Sequence, residues 1–129
     1  MIIRKLIFGA FVIFLLCSGT ADLAENLAFR RPAALMVNFL NRTQQIVYAI
    51  AVSNWKMLQK EARGLKADID SYISLAPRNT PMANQLREFR KDVQELIEAA
   101  KKQDGMEIGK RLGKIESRCI QCHKLYRDF

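Results

Sequence analysis

The chain has 129 residues, half of them hydrophobic, with 21 basic against 13 acidic side chains and a formal net charge of +8. That length suits one compact domain rather than two. The positive balance comes with no Gly-rich loop, no internal repeat and no basic stripe interleaved with aromatics, which argues against nucleic acid as the partner.

Residues 1–21 read as a secretory signal. Arg4 and Lys5 form a positive start, Leu6 to Cys17 is an apolar run of twelve, and Ser18-Gly19-Thr20-Ala21 supplies small residues before a cut. Twelve apolar residues fall short of the roughly 20 that span a bilayer. No stable membrane span is therefore expected after signal cleavage; the alternative is an uncleaved anchor. Leu16, ahead of Cys17, does not suit lipidation. Export predicts a periplasmic protein formed by residues 22–129, with a charge of +6 once Arg4 and Lys5 are removed.

Hydrophobic spacing that alternates between three and four predicts helices through the rest of the chain. Asp22 and Glu25 make a D-x-x-E capping pattern for a short lead-in helix. A first long helix is expected over roughly 32–51, with Pro32 in its first turn and Met36, Leu40, Thr43, Val47 and Ile50 on its inner stripe. The second, over roughly 54–75, takes Ser53 or Asn54 as its cap. Its inward residues are Trp55, Leu58, Ala62, Leu65, Ile69, Tyr72 and Ala76.

Asn79-Thr80-Pro81 gives the third helix a cap and a first-turn proline, and Met82, Leu86, Phe89, Val93, Leu96 and Ala100 line its inner face. Asp104 and Glu107 open the fourth, whose stripe is Ile108, Leu112, Ile115, Cys119, Cys122 and Tyr126. Lys110, Arg111, Lys114, Arg118 and Lys124 read as its solvated outer face. Gly105, Gly109 and Gly113 recur along one side. Each mid-helix glycine costs about 0.5–1 kcal/mol relative to alanine, which a close approach by a neighbouring helix or a cofactor would offset. Short connections at 52–53, 77–80 and 103–104 make successive helices antiparallel. The expected fold class is all-α, an up-down-up-down four-helix bundle.

The last stripe carries Cys119-Ile120-Gln121-Cys122-His123. C-x-x-C-H reads as a c-type haem attachment site. Positions i and i+3 share a helix face, so both sulfurs reach the two vinyl groups along one haem edge, and His123 is placed to bind iron. Rival readings fit less well. A structural zinc site wants four ligands, but His123 is the only histidine and the remaining cysteine, Cys17, lies in the signal. A thioredoxin-type pair sits at a helix N-terminus, where the dipole stabilises a thiolate; this one lies deep in a helix. A disulfide-bonded bundle without haem is the remaining alternative, and it leaves His123 without a role. The expected cofactor is one covalently bound haem c.

With this motif on the last helix of a four-helix bundle, the chain resembles the cytochrome c′ family, the class II c-type cytochromes. The likeness is sharpest over Cys119-Ile120-Gln121-Cys122-His123-Lys124-Leu125-Tyr126-Arg127, which resembles the family's terminal C-x-x-C-H-x-x-Y-R. As a bundle pattern it extends over residues 32–129. The resemblance implies thioether bonds at Cys119 and Cys122, His123 as proximal iron ligand, and a role in electron transfer or in handling diatomic gases. Arg31-Pro32-Ala33-Ala34-Leu35 resembles the family's R-x-x-x-[Leu/Met], which implies Leu35 in the distal pocket over the iron. Low-spin relatives use a first-helix methionine as sixth ligand, a role open here to Met36. Arg127, one turn beyond His123, is a candidate partner for a haem propionate. The connection between the first two helices is shorter than in many members. Dimers in the family form commonly through the first two helices, so a homodimer with Tyr48 or Ile73 in its interface is a further expectation.

The sixth iron position decides between two functions. A methionine sulfur fills the coordination sphere and, with His, raises the potential, so ligation by Met36 makes an electron carrier serving periplasmic redox partner proteins. This is the first reading. Leu35 over the iron instead leaves a five-coordinate site that binds NO or CO. About 100° of helix rotation separates the two. Catalysis is not expected, because the only histidine is committed to iron and no general base or His-activated nucleophile remains.

Overall fold

A computed structural model describes residues 32–126, with side chains from Ala34 onward. The expected signal at 1–21, the expected lead-in helix from Asp22, Arg31 and Arg127 lie outside the described residues. Four helices occupy the described chain: α1 (Pro32–Ala51), α2 (Trp55–Leu75), α3 (Pro81–Lys102) and α4 (Gly105–Tyr126). Among the described residues no helix is long and apolar enough to cross a membrane.

Local chemistry sets these boundaries. The Met57 N–H donates to Asn54 Oδ1 at 3.0 Å, the Ala83 N–H to Thr80 Oγ1 at 3.2 Å and the Glu107 N–H to Asp104 Oδ1 at 3.0 Å. Each satisfies one of the donors a helix start leaves unpaired. Pro81 follows its cap at the first helical position, where its missing N–H costs nothing. One residue in each connection, Ser53, Asn79 and Gln103, takes a left-handed backbone with φ of 53°, 63° and 55°. That conformation ends a helix and reverses the chain in few residues.

The helices pack as an up-down-up-down bundle in which α3 lies against both α2 and α4. Its double contact explains why α3 buries Ala83, Asp92, Ile97 and Ala99 in addition to the expected Leu86, Phe89, Val93, Leu96 and Ala100. The expected stripe of α2 is buried from Leu58 through Ala62, Leu65, Ile69 and Tyr72 to Ala76. On α4, Ile108 and Ile115 are buried, and Leu112, Cys119, Cys122 and Tyr126 are half-buried on the same side. Among the described residues, no atom of another helix lies within 4 Å of a Cβ built on Gly105, Gly109 or Gly113, so none of the other three helices approaches α4 there.

Helix α1 departs from expectation by one residue of rotation. Leu40 and Val47, placed on the inner stripe, are 57% and 43% exposed; the buried residues are Phe39, Ile46 and Ala49. The buried column therefore runs through 35, 39, 42, 46 and 49, and position 42 is an arginine. Its charge is what makes this column look wrong in the sequence, and two features of α2 accommodate it. Arg42 Nη1 donates to Glu61 Oε2 at 2.8 Å and Nε to Asp68 Oδ2 at 3.2 Å. Both carboxylates hold the guanidinium above its usual pKa, their hydrogen bonds being the main cause. Between them Gly64 leaves the guanidinium room, since a Cβ there would stand 2.7 Å from the Arg42 guanidinium carbon. Phe39 completes the docking of α1 by meeting Phe89 of α3 edge to face, with centroids 5.5 Å apart.

Candidate cofactor site

The apolar grip of α4 on the bundle ends at Ile115; beyond it no described residue of the helix is buried. What continues along the seam with α3 is charge. Glu95 pairs with Arg111 and, at 3.2 Å, with Lys114. Asp92 Oδ1 lies 2.8 Å from Lys114 Nζ, as an ion pair rather than a directed hydrogen bond. Arg118 Nε donates to Asp92 Oδ2 at 2.9 Å, and its other end lies 3.9 Å from Glu88. The pairs step in opposite directions on the two helices, as antiparallel neighbours require.

These contacts correct the expected solvated outer face. Arg111, Lys114 and Arg118 face α3, while Lys124 is exposed and Lys110 is exposed beside Glu107. The carboxylate of Asp92 first, then that of Glu95, raises the Lys114 pKa; Glu107 is the leading cause of the rise at Arg111. The signal was present in the sequence as two reversed spacings, 88-92-95 in acids and 111-114-118 in bases.

Cys119 follows Arg118 directly. On a helix, Cys119 and Cys122 stand about 100° and about 40° round from Arg118, on the flank that Ile108 and Ile115 bury. Both thiols are free and half-buried. Burial is the main cause that raises the Cys119 thiol, with nearby Cys122 adding to it, and burial also raises Cys122. A redox-active pair needs the opposite shift, so the thioredoxin reading loses further ground. His123 is exposed at the next position.

The surroundings suit a large group at this end. Seven residues from Asp92 toward the start of α3 correspond, in the antiparallel register, to positions 121–125 of α4. Gln85 therefore stands opposite the turn that carries Cys122, and its Oε1 is buried without a hydrogen-bond partner. An orphaned buried acceptor is uncommon. Together with two sulfurs on one face and an unpacked final stretch of α4, it fits haem c. Cys119 and Cys122 are the residues that would hold the porphyrin, and His123 the one that would reach its iron.

Four residues before the Phe39–Phe89 contact, the parallel helices α1 and α3 place Leu35 level with Gln85. Leu35 and Met36 are both half-buried, with Leu35 on the buried column of α1 and Met36 beside it. Arg127, the propionate candidate, lies outside the described residues. A cleft of about 660 Å³ lies at the opposite end, around Asn54, Trp55, Met57 and Gln103, and touches none of these residues.

Compared with known families, residues 49–127 match the model described as Cytochrome C'. That stretch is more than half of the chain and includes the whole C-x-x-C-H motif. Comparison with curated proteins and with solved structures finds no match.

Proposed function

The chain belongs to the cytochrome c′ family, and on that premise we propose that it is an exported monohaem c-type cytochrome whose five-coordinate iron binds NO or CO. The observation that carries this reading is the register of α1. Leu35 shares its column with buried Phe39, Ile46 and Ala49, whereas Met36 shares its own with exposed Leu40 and Val47. Haem c, when bound, supplies an iron with an open sixth position and a reversible one-electron couple. Leu35 offers neither donor nor acceptor, so water gains nothing by entering beside it, while small neutral gases are admitted. With its one histidine assigned to iron, the protein acts by binding rather than by acid–base catalysis. Its periplasmic location rests on the signal pattern of residues 1–21.

Optical and EPR spectra of both oxidation states test this. The expected result is a high-spin ferrous haem, unchanged in Met36→Ala. In Leu35→Ala, CO association rises by roughly tenfold, equivalent to about 1.4 kcal/mol of barrier. A low-spin spectrum with sulfur-to-iron charge transfer, lost in Met36→Ala, would establish the second reading: an electron carrier for periplasmic redox partners with Met36 as sixth ligand. The half-burial of Met36 favours that reading.

A homodimer belongs to the same proposal. Val37, Leu40 and Val47 form a second apolar column on α1, with Tyr48 exposed beside it and Ile73 of α2 half-buried. Such a column is wider than a solvated helix face needs. Sedimentation should show a dimer that Leu40→Glu converts to monomer; a monomeric wild type removes the idea.

A further inference from the structure

We propose that the cleft at the end of the bundle away from the cysteines binds a small aromatic anion, held by the ring of Trp55 and by Lys56, Lys60 and Arg63. The proposal is independent of the haem reading, because the cleft touches none of Cys119, Cys122 and His123.

The cleft has a volume of about 660 Å³ and is lined by the opening turns of α2, from Asn54 to Arg63, with Gln103 from the connection between α3 and α4. Small-molecule sites commonly measure about 300–1,000 Å³. Trp55 is half-buried, so its ring forms an apolar wall and still has surface to offer. Such a ring takes up a planar aromatic group by offset stacking or edge contact. The side chains around it supply charge. Lys56, Lys60 and Arg63 are exposed, and spacings of four and three residues set them on one side of the helix.

The described residues do not balance this charge. Glu61, the one acid in the cleft, accepts from Arg42 at 2.8 Å and lies 4.0 Å from Lys60. Arg63 donates to the neutral Gln59 at 3.1 Å, and Lys56 has no carboxylate partner among the described residues. Elsewhere the pattern is the reverse: Lys101, Arg111, Lys114 and Arg118 each pair with a carboxylate. The cations of the cleft also stand in the opening turns of α2, whose first turn holds no acid. That is the end of a helix where its dipole disfavours positive charge. Departures from local preference of this sort concentrate at functional sites. A bound anion relieves both costs, and Trp55 favours one with a flat apolar body over a bare inorganic ion.

Naphthalenesulfonate is the probe, since a sulfonate stays charged at any working pH and is a poor ligand for iron. Titrated into the purified haem-loaded protein at low ionic strength, it should give saturable amide NMR shifts at residues 54–63 and 103. The indole N–H of Trp55, the chain's single tryptophan, should shift with them. The haem absorption should stay unchanged. Lys56→Gln combined with Lys60→Gln removes two exposed charges without touching the core, and should weaken binding about tenfold, equal to about 1.4 kcal/mol. The uncharged naphthalenesulfonamide should bind about tenfold more weakly than the sulfonate, and added salt should weaken the sulfonate alone. Shifts that are absent, that fail to saturate, or that map to the cysteine end would overturn the proposal. So would equal binding of the sulfonamide, which would reduce the cleft to an apolar patch, or wild-type affinity in the double glutamine variant.

Discussion

Replacing Lys114 and Arg118 together with alanine is expected to lower the stability of the protein by about 3–5 kcal/mol, the cost of leaving a buried charge without its partners. Asp92 is the charge concerned, buried in the α3–α4 seam with one cation on each oxygen. The effect is sharply asymmetric. Asp92→Val leaves the two cations behind, but Lys114 lies 3.2 Å from Glu95 and Arg118 still has Glu88 within reach. That change should be neutral or stabilising by about 1–4 kcal/mol, as for other buried pairs replaced by apolar residues. Combining all three substitutions should recover most of the loss. Urea titrations check the series: the midpoint shifts at nearly constant slope if the folded surface is preserved. A double alanine variant as stable as wild type would show that Asp92 is solvated despite its burial.

Phe89→Ala is expected to cost a further-reaching loss of the same order, about 3–5 kcal/mol, the usual range for a buried phenylalanine. Phe89 is buried on α3, and its ring edge contact with Phe39 is one of the few anchors of α1. Since the described side chains of α1 that are buried are Phe39, Ile46 and Ala49, removing that contact should loosen α1 before the remainder of the bundle. Hydrogen exchange should therefore accelerate in α1 more than in α2 or α3. A double-mutant cycle with Phe39→Ala should return a coupling of about 0.5–1.5 kcal/mol. Zero coupling would mean that the two rings are merely adjacent.

The helices were readable because their determinants are local. Asn54, Thr80 and Asp104 each bond a backbone N–H three residues on, and Pro81 tolerates its place at any first turn. The inner stripes of α2 and α3 were readable for a related reason. Their core faces carry uninterrupted apolar residues, and no alternative rotation buries as much. The acid ladder was legible too, as two reversed spacings, but only to a reader who compares two helices. Read one at a time, Arg111, Lys114 and Arg118 look like solvent-facing charge.

The sequence by itself determined that this is an all-α chain carrying a C-x-x-C-H of the kind that attaches haem c, because capping, helical spacing and thioether chemistry are properties of neighbouring residues. Only the tertiary structure decided which side of α1 faces inward. Arg42 can occupy a buried column because Gly64, on another helix, has no side chain there and Glu61 and Asp68 neutralise the charge. That single accommodation rotates Leu35 rather than Met36 onto the column that packs against the bundle. Half-burying a charge such as that of Arg42 depends on partners distant in sequence, and no local pattern contains them.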